Sequence, residues 1–410
     1  MKFLKEANNS LIKYIRLLCI FFIPLGMMIY EYNIINLFSY IGAFICLLNI
    51  IKEKDKWINF DKKILLVMLL FCIGIIISNY FAQINSENSI KYARRYCYWI
   101  LPGLVMYGLW MNINKDACKK FLGAGLLSGT IILIVYAVYE NIFLNIERPG
   151  SLTNQPNSWS AFLVMILPFL LYTFSNTFLK LLISLFVTYG IVLSQSRTSF
   201  VALIIIFLVY FILNKNKIRH IFTNKKVVFF ILLFIATVFG LFYINTDNKN
   251  VLSITNRMVN VESYNLERNG GDRVYLWKSS INMIKDNPIH GVGLQNFNQV
   301  YINDNYMNSK AKEPNLRSPH NIFLHYLVEM GLIGTIPFML LLFTIFNFLR
   351  VNIKNDMAIA MFISLIGILC NNMVDYQLIT RYYYQLFWIL ILISVSDVMS
   401  NTKINTYDKK

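Results

Sequence analysis

The chain has 410 residues, of which 57% are hydrophobic and only 14% charged, yet it carries a formal net charge of +17. A water-soluble core cannot hide that much apolar surface, whereas a bilayer accepts it directly. The basic residues are gathered in short clusters between apolar runs. That is the pattern of membrane topology signals, and it argues against nucleic acid as a partner.

The basic start (Lys2, Lys5, Lys13, Arg16) precedes an apolar run to Tyr30 with no small-residue cleavage site after it, so a retained signal anchor is expected. Apolar stretches long enough to cross about 30 Å of hydrocarbon predict an all-α integral membrane protein with about twelve transmembrane helices. They lie near 11–30, 33–51, 64–82, 94–111, 121–143, 158–175, 178–195, 198–213, 227–244, 320–348, 355–373 and 381–399. No internal repeat is visible. The chain reads as a single polytopic domain over 1–410, with a long polar loop, 245–319, inserted between the ninth and tenth helices. With the N-terminus inside, 23 of the 38 basic residues fall in cytoplasmic segments, and nine of the remaining 15 belong to that loop. Both termini are therefore expected in the cytoplasm and the loop outside. Six cysteines (Cys19, Cys46, Cys72, Cys97, Cys118, Cys370) lie in or beside apolar runs without CxxC spacing, and read as small core residues.

Three residues stand out as carriers of chemistry. Arg197, in LSQSRTSF, sits between two apolar runs with almost no connector. An arginine at that depth costs about 2.5–3.5 kcal/mol unless it faces water or an anion. Snorkelling to the interface is the bland alternative, but Gln195, Ser196, Thr198 and Ser199 favour a polar pocket. Arg273 follows the helix-start signal Gly270-Gly271-Asp272, with Val274, Trp277, Ile281 and Ile284 at helical spacing, as in an amphipathic helix lying on the membrane or against the bundle. In a first turn its guanidinium would add a bidentate phosphate contact to free backbone N–H groups; otherwise it is a surface arginine.

His320 lies in SPHN, where Ser318 is expected as N-cap and Pro319 as the first helical residue. That places the imidazole in a first turn, where the helix dipole keeps it neutral and able to act as a general base; a structural histidine is the alternative. His325 and Glu329 read as a structural pair, and His290-Gly291-Val292-Gly293 as a flexible turn. Gly331, Gly334 and Pro337 suggest close packing or a bend. No D-x-D, H-E-x-x-H, G-x-S-x-G or P-loop motif occurs, so neither a metal nor another cofactor is expected. An outward site also lies beyond a cytoplasmic nucleotide's reach, so the substrate should arrive already activated by phosphate or pyrophosphate.

Four pieces, SLTNQPNSWSAFLVMILPF, LSQSRTSF, GDRVYLWKSSINMIKDNPIHGVGLQNF and SPHNIFLHYLVEMGLIG, spread over roughly 150–345, resemble the O-antigen ligase and Wzy-type polymerase superfamily. The resemblance implies a GT-C-like, metal-independent inverting glycosyltransferase at the periplasmic face of the bacterial inner membrane. Its donor would be a glycan on undecaprenyl pyrophosphate. Arg197 and Arg273 match the family's functional arginines and would hold the pyrophosphate, while His320 would activate the acceptor hydroxyl. Arg317 and Asn321 are further candidates for substrate contact; Arg148 and Arg381 are outward but match no motif firmly. The SQSR turn and the PHN helix start look more like those of ligases, whose acceptor is the lipid A-core. A repeat-unit polymerase and, outside the enzymes, a polytopic transporter or flippase are the alternatives.

Overall fold

A computed structural model describes residues 2–52, 60–82, 86–111, 114–223, 273–303, 306–307 and 318–407. The expected span 227–244, much of the polar loop, and Arg317 lie outside the described residues. Every extended element described is a helix: α1 (Lys2–Met28), α2 (Tyr32–Lys52), α3 (Lys62–Tyr80), α4 (Ser86–Tyr98), α5 (Leu101–Met111), α6 (Lys115–Ile142), α7 (Pro156–Thr173), α8 (Thr177–Ser194), α9 (Arg197–Thr223), α10 (Arg273–Asp286), α11 (Phe297–Asn303), α12 (Ile322–Val351), α13 (Asp356–Asn372) and α14 (Arg381–Tyr407). Nine of these are long and apolar enough to cross a membrane, and α13 is a shorter apolar helix. The described residues are thus all-helical, and their apolar helices make the chain a multi-pass membrane protein.

Short polar connectors begin these helices in a uniform way. Asp61, Asn114, Asn176 and Asn355 each accept hydrogen bonds from two backbone N–H groups that the first turn cannot satisfy itself. The expected fourth span, 94–111, is broken. The chain turns at Trp99 and Ile100, just ahead of Pro102, separating a polar α4 from an apolar α5. The N-terminal helix is part of the bundle: Leu17, Ile20 and Ile23 are buried, and a Cβ on Gly125 of α6 would come within 2.4 Å of the Phe21 carbonyl oxygen. At the centre stand α7 and α14, 78% and 89% buried, although they are the two least hydropathic of the nine spans. None of the six cysteines forms a disulfide, and Cys19, Cys46 and Cys118 are buried.

Helix α12 is interrupted one third of the way along. Gly331 has φ 56° and ψ −161°, a region open essentially only to glycine. The segment after α10 closes over this break. Val292 and Gly293 donate to the carbonyls of Val328 and Glu329 at 2.8 and 2.9 Å, while Leu332 and Ile333 donate to those of Pro288 and Ile289 at 2.9 and 3.2 Å. The Ser78 hydroxyl of α3 lies 2.8 Å from both the His290 and the Met330 carbonyl oxygens, and Asn79 accepts from the Leu294 N–H at 2.7 Å. His290–Gly293 is therefore a hydrogen-bonded clasp, not a loose turn, and Gly331 supplies the bend that the glycines of α12 suggested. Non-helical backbone is tolerated within a membrane protein only when other protein groups satisfy it in this way.

Candidate functional site

The start of α12 differs from the sequence expectation. The N-cap is Asn321, not Ser318: its side-chain oxygen accepts from the N–H groups of Phe323 and Leu324 at 2.9 and 3.0 Å, and its amide donates to the Met373 carbonyl at 2.8 Å. Asparagine caps as well as serine does, and the added bond to the α13–α14 connection settles which residue takes the role. Ser318 instead accepts from the His320 N–H at 3.2 Å. His320 consequently precedes the helix, in the left-handed region at φ 50°. Its ring is outside the first turn, so the helix dipole does not act on it as expected.

A carboxylate faces the ring instead. His320 Nδ1 lies 3.7 Å from Oδ1 of Asp375, which is 2% exposed against 18% for the histidine. The ring of Tyr376 packs edge-on to the imidazole, with centroids 4.7 Å apart. Asp375 Oδ2 and Asn371 Oδ1 are buried without a hydrogen-bond partner among the described residues. Sequence reasoning passed over Asp375. Its signal was there: the one acid in the short polar connector NNMVDYQLIT between two apolar runs, where an ionisable residue often marks function.

The helix carrying Arg273 is tied to the same turn. Trp277, four residues after Arg273 and so on the same face of α10, donates its indole N–H to the carbonyl of Pro319 at 2.8 Å. Arg273 is the first residue of α10 and is half-buried. The stripe of Val274, Trp277, Ile281 and Ile284 is half-buried to exposed, and the fully buried face is a different one. Tyr275, Leu276, Ser279, Ser280 and Met283 face the protein, and Ile281 is 47% exposed. The two serines make this possible, because their hydroxyls are satisfied by the carbonyls of Tyr306 and Leu276 at 2.6 Å.

Arg197 opens α9 after a tight turn in which Gln195 takes φ 53°. The turn is fixed from several sides: Gln195 donates to the Glu147 carbonyl at 2.7 Å, and Arg148 to the Ser194 carbonyl at 3.2 Å and to Asn157 at 2.5 Å. Arg197 itself is exposed. No carboxylate among the described residues pairs with Arg197 or Arg273. Two residues beyond Arg197, Ser199 receives the amide of Asn371 at 2.8 Å and meets Ser160 at 2.9 Å.

The last turn of α13 and the connection after it thus hold two of the three elements directly. Asn371 secures the Arg197 turn, Met373 and Asp375 engage Asn321 and His320, and Pro319 passes the link to the Arg273 helix. Arg148 is taken up by its own bonds, and Arg381 stacks on the rings of Tyr32 and Tyr382 at 4.6 and 5.3 Å. His325 and Glu329 form the expected buried pair, with 3.1 Å between Nε2 and Oε2. No group of three or more His, Cys, Asp or Glu side chains placed to hold a metal occurs among the described residues. Chemically, the His320 imidazole has a carboxylate beside it, and the starts of α9 and α10 each carry a guanidinium, a group suited to polyanions.

Residues 181–339 match the family model described as O-antigen ligase. The match takes in Arg197, Arg273 and His320 and ends before Asp375. A search of curated proteins finds no match.

Proposed function

We propose, from the premise that residues 181–339 form an O-antigen ligase-type domain, that this glycosyl-transferring membrane protein is the ligase itself. It moves a glycan from undecaprenyl pyrophosphate to the lipid A-core oligosaccharide at the periplasmic face of the bacterial inner membrane. The observation that carries the reading is His320, held outside its helix with Asp375 against Nδ1 and its turn bonded to the Arg273 helix.

Asp375 orients the ring and favours the proton on Nδ1, leaving Nε2 to accept the proton of the acceptor hydroxyl. The hydroxyl oxygen attacks the anomeric carbon of the donor as the bond from that carbon to the pyrophosphate oxygen breaks. A single displacement inverts the anomeric centre. Undecaprenyl pyrophosphate leaves with the bonding electrons, and Arg197, Arg273 and Arg317 neutralise the charge it gains. Asn321 serves the site by fixing the turn that presents His320, beside substrate that reaches its remaining amide hydrogen. The basic-residue distribution supports cytoplasmic termini and an outward site.

A repeat-unit polymerase would use the same donor and the same residues, and deletion of the gene separates the two. Loss of the ligase leaves rough lipopolysaccharide on a gel while long lipid-linked chains persist. Cores capped by a single repeat would overturn the ligase assignment in favour of the polymerase.

A further inference from the structure

At the end of the bundle opposite His320, a cavity of about 370 Å³ opens between α7, α9 and the connection from α12 to α13. One wall is the kink of α9 at Asn214, whose φ −111° and ψ 17° are not helical. The Asn214 amide, freed from the regular turn, donates to the Tyr172 hydroxyl oxygen at 2.6 Å and to the Tyr210 carbonyl at 2.9 Å. The Tyr172 hydroxyl is used there as an acceptor, so its own proton stays available to a ligand.

Two exposed cations, Lys215 and Lys354, border the cavity. The acid beside them, Asp356, is engaged by Lys119 at 3.0 Å. The sequence beyond Lys215 adds Lys217, Arg219, Lys225 and Lys226 with no acid among them. Below the lysines the wall turns apolar, with Ile353, Ile359 and Ile212, the last 68% exposed on the outside of the bundle. A soluble anion has no use for the isoleucines, and a hydrocarbon chain has none for the lysines. A phospholipid with an anionic headgroup uses both, and basic pockets between helix ends are where such headgroups bind.

We propose that this cavity is a site for the phosphate-bearing headgroup of an anionic phospholipid. Lys215 and Lys354 hold the phosphodiester, Tyr172 donates to it, and the isoleucines take the start of an acyl chain. The lipid would pin together two helices that pack closely midway, where a Cβ on Gly367 of α13 would come within 2.6 Å of Ile206 of α9. The opposite ends of these helices carry Arg197 and Asn371, so the headgroup stabilises the frame of the outward layer from a distance. The proposal is independent of the transfer reaction, and its test reads lipid binding alone.

The full-length protein is placed in nanodiscs of phosphatidylcholine with increasing phosphatidylglycerol, and its melting temperature is followed. A rise of about 3 °C is expected for the native chain. It should be abolished in Lys215→Gln/Lys354→Gln and kept in Lys215→Arg/Lys354→Arg. Substitution of exposed cations on α4, Lys91→Gln/Arg94→Gln, should leave the rise intact. An equal rise in the Lys→Gln pair, or none in the native chain, overturns the site. The same shift from glycerol phosphate added to detergent-solubilised protein would overturn a lipid as the ligand and assign a free anion.

Discussion

The clasp around Gly331 and the layer around His320 both interrupt helical order near α12, and they treat polar groups in opposite ways. In the clasp, the carbonyls of Val328, Glu329 and Met330 and the N–H groups of Leu332 and Ile333, all at the break in α12, each find a partner. In the layer, His320 Nδ1, Asp375 Oδ2 and Asn371 Oδ1 have no hydrogen-bond partner among the described residues, and Arg197 and Arg273 face no carboxylate there. Leaving a buried polar group unpaired costs about 1–3 kcal/mol. The clasp closes its backbone only, since His290 Nδ1 and Glu329 Oε2 within it are likewise buried without a hydrogen-bond partner among the described residues. The difference separates backbone groups that the fold satisfies itself from side chains whose positions it sets without filling every bond.

Four substitutions break or sharpen that contrast, taken here from the largest effect to the smallest. His320→Ala should lower glycan transfer in reconstituted vesicles by about 10²–10⁴-fold, the contribution of a general base, while melting temperature and donor binding stay near native. Near-native transfer would remove His320 as the base. Gly331→Ala should act the other way round. Its Cβ would stand 2.4 Å from the Ile289 carbonyl oxygen in a backbone region closed to alanine, and about 3 kcal/mol or more of stability should go. A thermal melt within 1 °C of native, roughly the error of such a scan, would mean that the clasp is not what holds the break.

Arg273→Gln should then reduce transfer about tenfold or more, since a hydrogen bond involving charge contributes about 1.5–3 kcal/mol. An effect confined to the acceptor's KM would dissociate this arginine from the pyrophosphate. For Asp375→Asn the expectation is a loss of about tenfold in kcat, as the amide oxygen can still accept from the Tyr376 N–H but the negative charge facing His320 is gone. Its melt should be unchanged, and a matched fall in stability and rate would mark Asp375 as a packing residue.

What the sequence made legible follows from where each signal resides. Membrane class and most helices are local properties of composition and length, and they were readable. Arg197, Arg273 and His320 stood out as candidates, because charge or imidazole is rare in so apolar a chain. Pairings across long stretches of sequence were not. Asp375 is one acid in a short connector until the fold sets it against His320. HGVG and MGLIG each look like generic flexibility until one is seen to satisfy the backbone of the other. SPHN contains two good caps, and only the distant carbonyl of Met373 decides between Ser318 and Asn321. In α10 the apolar stripe left open membrane or bundle, because part of the buried face is made by serines whose hydroxyls are satisfied within the protein.

The enclosure of α14 has a consequence for how the molecule is built. This helix meets little lipid, and its apolar character is low for a span because its neighbours, not hydrocarbon, surround Ser394, Ser396 and Asp397. Partitioning into bare bilayer therefore gives it little driving force. The Asp397 carboxylate is matched by the Trp110 indole at 2.9 Å, the Asn355 amide at 2.8 Å and the Lys115 ammonium at 3.3 Å, groups on α5, at the start of α6 and just before α13. All three precede it in chain order. Asp397 thus ties the last of the described spans to three earlier parts of the chain, and α14 fills a slot that those neighbours line.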